Sequence, residues 1–325
     1  LALSQKHDAS KGAYRRKLKT GLTADKFADY FGELCARSYC DEKFELTMAE
    51  FDSYYSKLRE RARSNDSVTT ARDFLDDLCN NMCLMYFEGG KYHFTHRSFQ
   101  EYFCACHFSK QKDRSLGKIG DVFEKMKKRM SGDQAFQMLF DMIPEKIEEY
   151  LFVPFLNKLF AECDEGDGFW TFLERIHPEI CYGDGENDVF LSNDPNSYIF
   201  TFIRSLCGLR WNLTNEPNLP IVDSLVTREY VYEEHRDGEN KLVDKDDISY
   251  DYIAEYGMPD IVGWSAEFEV EEVRKNPDEY NKLLEALEGE ECPFMIEYVA
   301  VRNYYGSLLQ KQKQTAAGED LFDQL

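Results

Sequence analysis

The sequence predicts a mainly α-helical chain with a winged-helix domain, followed by a helical region and a small α+β region at its end. Three observations carry that prediction. Capped, apolar-faced helices recur through the first two thirds of the 325 residues. One Gly-Gly tip joins two short aromatic runs just before a further helix. After Pro220 the texture shifts to β-branched and aromatic residues. The expected divisions are a linker over 1–22, a winged helix over 23–112, a helical region over 113–215 and an α+β region over 216–325.

Thr23 can cap a helix running through Cys40, with Phe27, Tyr30, Phe31 and Leu34 on one face. Thr47-Met48-Ala49-Glu50 has the form of a capping box and starts a helix bearing Phe51, Tyr54, Tyr55 and Leu58. Thr70-Ala71-Arg72-Asp73 repeats that form and opens a third helix with Phe74, Leu75 and Leu78 inward. Leu84–Phe87 and Tyr92–Phe94 then flank Gly89-Gly90, a pair suited to the positive φ angles of a tight hairpin. A fourth helix follows from Arg97, with Phe99, Phe103 and Ala105 sharing a face. Three helices, a wing and a closing helix make a winged-helix module. Asp73, Asp76 and Asp77 on its third helix would repel a phosphate backbone, which argues against DNA reading there.

From Ser115 to about His177 successive apolar stripes predict helices, with Pro144 at a helix start. Acidic, glycine-bearing breaks are expected at 164–168 and 183–196, then a helix over 191–209. Leu225–Tyr232 favours strand, His235–Asn240 a polar turn, and Val270–Leu287 and Pro293–Gln314 helix, with a frayed tail over 310–325.

Charge divides the chain. Residues 1–130 carry 24 Lys+Arg and 19 Asp+Glu, whereas residues 131–325 carry 15 and 42, a net of −27. So acidic a half disfavours nucleic acid and suits a protein ligand of basic character. The bland alternative is a solvated acidic surface. Ten cysteines occur without a Cys-x-x-Cys pair, the pattern of reduced core thiols rather than a metal site. No run has the length of a membrane span. No Gly-x-x-x-x-Gly-Lys-Ser/Thr occurs, and no nucleophile elbow or metal-binding helix motif, so this stretch alone is not expected to act as an enzyme.

Phe94-Thr95-His96-Arg97-Ser98-Phe99-Gln100-Glu101-Tyr102-Phe103 resembles the winged-helix signature of NACHT proteins. These are STAND-type signalling NTPases that include NOD-like receptors and bacterial anti-phage proteins. Lys6–Lys11 and Arg16–Leu22 are similar to the linker entering that domain. The resemblance implies a cytoplasmic protein whose nucleotide-binding NACHT domain lies upstream in cis and holds ADP or ATP with Mg. It implies that His96 contacts the phosphates of ADP in the closed state, that a protein trigger acts on the C-terminal region, and that activation brings self-assembly. No nucleic-acid or membrane partner is expected. Read from the residues alone, His96 is a helix cap; read with the motif, it is a nucleotide contact. Gln100 and Glu101 are expected to tie the helix start to nearby backbone, Glu101 with Arg97 on the helix surface. His7-Asp8 reads equally as a contact to the upstream domain or as a polar loop. A plain interaction scaffold and an unrecognised enzyme in the acidic half are the alternative functions.

Overall fold

The computed structural model describes residues 18–61, 70–126, 132–185, 188–192, 195–209, 219–220, 222–234, 240–248, 252–253, 259 and 261–322. His7, Asp8, most of the 1–22 linker and residues 235–239 of the turn expected over 235–240 lie outside them. Among the described residues the chain is mainly helical with two antiparallel sheets, and it divides into two compact units, Leu1–Leu151 and Phe152–Leu325.

In the first unit, helix α1 spans Ala24–Cys40, and its N-cap Thr23 accepts from the Lys26 amide. A two-residue strand β1, Glu45–Leu46, precedes α2, Met48–Arg61. The capping box forms: Thr47 N donates to Glu50 Oε2 at 2.9 Å, and Glu50 N donates back to Thr47 Oγ1 at 3.3 Å. Helix α3, Ala71–Asp76, carries the same reciprocal pair between Thr70 and Asp73, then widens into a π-helical turn over Asp77–Asn81. Strands β2, Met85–Glu88, and β3, Lys91–Phe94, follow, joined through Gly89 and Gly90 with φ of 58° and 82°. Both values are positive, as a two-residue I′ hairpin tip requires. The sheet order is β1-β3-β2, and β3 leads through Thr95 into helix α4, Arg97–Ser109.

Aromatic rings fill the core between these helices. Phe27 meets Phe74 with centroids 4.9 Å apart, and Phe31 meets Phe103 at 4.7 Å. Helices α1 and α4 approach closely at Gly32, where a Cβ would sit 3.1 Å from the Phe103 carbonyl oxygen. Only hydrogen fits comfortably at that contact. The unit closes with α5, Leu116–Lys125, α6, Ala135–Met142, and α7, Pro144–Ile147, where Pro144 occupies the first turn. A second π-helical turn, Glu148–Phe152, marks the boundary.

The second unit begins with α8, Val153–Glu165, and α9, Phe169–Ile176. Strands β4, Glu179–Gly185, and β5, Asp188–Ser192, come next, then α10, Tyr198–Leu206. This corrects the reading of 183–196 as a loop and of 191–209 as one helix. Gly183-Asp184-Gly185 belongs to a strand paired on both edges, because β4 lies between β5 and β8. Strands β6, Val226–Glu234, β7, Asn240–Asp244, and β8, Ile261–Glu269, complete a sheet of order β5-β4-β8-β6-β7. Helices α11, Val270–Lys275, α12, Pro277–Leu287, and α13, Pro293–Phe322, end the chain. The expected frayed tail is helical as far as Phe322, a second correction. Arg302 holds Asp164 at 2.5 Å and Tyr305 donates to Asn157 at 3.0 Å, fixing α13 along α8. Among the described residues no helix is long and apolar enough to cross a membrane. All ten cysteines are free thiols, and Cys35, Cys104, Cys163 and Cys292 are buried.

Candidate functional site

The junction after β3 places His96 where a strand becomes a helix. Thr95 pins that junction: its amide donates to the Leu84 carbonyl at 3.0 Å and its hydroxyl to the Cys83 carbonyl at 2.9 Å. His96 has extended φ and ψ of −145° and 138° and is the N-cap of α4. Its Nδ1 accepts from the Ser98 amide at 3.1 Å and lies 2.6 Å from Ser98 Oγ. An imidazole that accepts at Nδ1 carries its proton on Nε2 when neutral. Nε2 has no hydrogen-bond partner among the described residues, and the side chain is exposed. The cap therefore fixes a tautomer whose donor faces outward beside a helix N-terminus, an arrangement that favours an anion.

The next residue is held away from that outward face. Arg97 bonds to Asp133 Oδ2 at 3.0 Å, pairs with Glu101 Oε1 at 2.9 Å and lies over the Phe44 ring at 4.8 Å. Asp133 also accepts from Tyr39 Oη at 3.0 Å and from the Ala135 amide at 2.9 Å. Glu101 is 3% exposed, so the pair expected on the helix surface is buried on its acidic side. Burial first, and the Asp133 carboxylate second, push the Glu101 carboxyl above its ordinary value. Gln100 donates to the Lys43 carbonyl at 2.9 Å and to Ser38 Oγ at 2.8 Å, the backbone tie expected of it.

Two arrangements escaped the sequence. Asp77 was read with Asp73 and Asp76 as an outward acid, yet it is fully buried and faces the entering chain. What buries it is the segment at Lys19 and Thr20, whose amides donate to its carboxylate, a partner some 57 residues distant that helical spacing does not announce. In the second unit, His177 at the end of α9 places Nε2 2.6 Å from Glu297 Oε2 of α13, and Glu297 Oε1 lies 3.6 Å from the Arg204 guanidinium of α10. His177 and Glu297 are buried and Arg204 nearly so, so this trio joins three helices inside the core. Spacings of 120 and 93 residues leave no local signal for it. No group of His, Cys, Asp and Glu among the described residues has the arrangement of a metal site.

A family model, that of the short NACHT-associated C-terminal domain, family 14, matches residues 140–325, more than half of the chain and all of its second unit. No curated protein and no solved structure matches it.

Proposed function

The chain belongs to the short NACHT-associated C-terminal domain family 14, and from that premise we propose that it is the regulatory, ligand-sensing C-terminal portion of a NACHT signalling NTPase. The family match carries this reading, because a domain of that family accompanies a NACHT domain by definition. In the proposal the first unit is a winged helix that reports nucleotide state. Its His96 donates from Nε2 to a phosphate of ADP held with Mg by the NACHT domain upstream in cis. The fixed tautomer and the helix N-terminus beside it support that role. The acidic second unit receives a protein trigger of basic character, a phage protein in a bacterial defence setting. The trigger favours an open arrangement, ADP leaves, and the cytoplasmic protein self-assembles.

The test uses the full-length protein. Replacing His96 with alanine removes one charge-assisted contact, worth about 1.5–3 kcal/mol of closed-state preference. The expected result is roughly 10- to 100-fold weaker ADP retention and raised basal signalling. Unchanged ADP occupancy together with unchanged basal activity would leave His96 as a cap alone. Exchange of residues 131–325 between relatives with different triggers should carry trigger specificity with it. Specificity that stays with the N-terminal portion would make the second unit a scaffold.

A further inference from the structure

We propose that Asp77 is a latch through which the chain entering the first unit controls the position of His96. Four hydrogen bonds converge on this buried carboxylate. The amides of Lys19 and Thr20 donate to its two oxygens at 2.8 and 2.9 Å, Thr20 Oγ1 donates at 2.8 Å, and Asn81 Nδ2 at 2.6 Å. The Lys19 ammonium is engaged elsewhere, on Asp76 at 2.8 Å. The latch thus grips main chain, and it grips immediately before the turn at Gly21, whose φ is +64°. Any force on the chain arriving from upstream reaches Asp77 through these bonds.

From Asp77 a short bonded path leads to His96. Asp77 opens the π-helical turn, its carbonyl accepts from Met82 N at 2.8 Å, and the Leu78 carbonyl accepts from Leu84 N at 2.9 Å. Between those residues Cys83 has a φ of +54°, the left-handed region that side chains disfavour. The carbonyls of Cys83 and Leu84 then take the hydroxyl and amide of Thr95, the residue before His96. Two departures from regular backbone, the widened turn and the left-handed cysteine, therefore lie between latch and site. Such departures persist where surrounding bonds over-determine them. A π-helical turn holds one residue more than the α-helical turn it replaces, so it has a discrete alternative. With the latch closed the widened turn is held and His96 stands at the wing's end. With the latch open the turn reverts to α spacing, Cys83 relaxes and the Thr95 anchor shifts with it.

This inference rests on the role proposed for His96 only for its biological meaning, because its test needs no nucleotide. Amide hydrogen exchange on the 325-residue chain compares Asp77→Ala and Thr20→Val with the parent. Opening the latch should speed exchange at Lys19 and Thr20 and also, at least tenfold, at Thr95, Ser98 and Phe99. The amides of Phe169–Ile176 in the second unit should not change. Loss of protection throughout Ala24–Cys40 would mean that Asp77→Ala has unfolded the first unit, and the milder Thr20→Val then decides. Cys83→Gly, added to whichever variant keeps Ala24–Cys40 protected, removes the left-handed strain. It should restore Thr95, Ser98 and Phe99 without restoring Lys19 and Thr20. Faster exchange confined to Lys19 and Thr20, or a failed rescue by Cys83→Gly, would overturn the latch. Unchanged ADP retention in His96→Ala would instead overturn the nucleotide contact and leave the latch standing.

Discussion

Each unit buries a carboxylate, and the two are satisfied in opposite ways. Asp77 in the first unit accepts from backbone amides and neutral side chains, with its nearest lysine committed to Asp76. Glu297 in the second unit faces an imidazole and a guanidinium inside the core. The first arrangement fastens a passing segment and can be undone from outside. The second fuses three helices and can be broken only by exposing other charged or polar groups. Regulation belongs at the former kind of carboxylate and permanence at the latter.

The largest effect should come from Glu297→Ala, which removes the buried carboxylate that faces both the His177 imidazole and the Arg204 guanidinium. A loss of about 3–5 kcal/mol in denaturant unfolding is expected, against about 1–3 kcal/mol for Asp77→Ala, which strands only uncharged donors. Equal losses, or a larger one at Asp77, would break the comparison.

Glu101 sharpens it as an intermediate case. The folded chain holds its proton to a higher pH than the unfolded chain, whose value is the ordinary 4.5. Its contribution to stability therefore falls as pH climbs from 4.5 through the raised value. Glu101→Gln should flatten that slope in unfolding midpoints measured across the weakly acid range. A slope that survives the substitution would place its source elsewhere.

The smallest effect belongs to the half-buried carboxylate of Glu50. The Thr47 amide first, then Lys43, lower the Glu50 carboxyl to about 2. What it contributes to stability is present above 4.5 and is lost as pH falls through about 2. Thr47→Ala should cost about 1 kcal/mol through the cap it removes. A neutral outcome would mean that α2 is held by its packing alone.

These cases also show what the sequence could say. The capping boxes at Thr47 and Thr70, the Gly89-Gly90 tip and Pro144 at a helix start were legible, because each depends on residues within one turn. The α1 and α4 faces were legible because helical period survives in Phe27, Phe31, Phe99 and Phe103. Strand β4 was not, since Gly183-Asp184-Gly185 has the composition of a turn and pairs as a strand because β5 and β8 flank it. Strand β8 itself buries Gly263 and Ser265 on one face and Ala266 and Phe268 on the other, a pattern too small and polar to announce a central strand. At the strand–helix junction, the His96 cap and the Gln100 tie to backbone were foreseeable from the local sequence. Asp133, which holds Arg97 from 36 residues away, was not.

The position of β8 also dictates the order in which the second sheet can assemble. Hairpins β4–β5 and β6–β7 each close locally, but β8 joins them, pairing Glu179 with Glu269 and Glu229 with Trp264. During synthesis both hairpins emerge from the ribosome before their common neighbour exists. An isolated two-stranded hairpin is marginal in water, and its open edge is a template for other chains. Folding of this sheet must therefore wait for residue 269, and a nascent chain stalled before Ile261 would carry two unclosed edges.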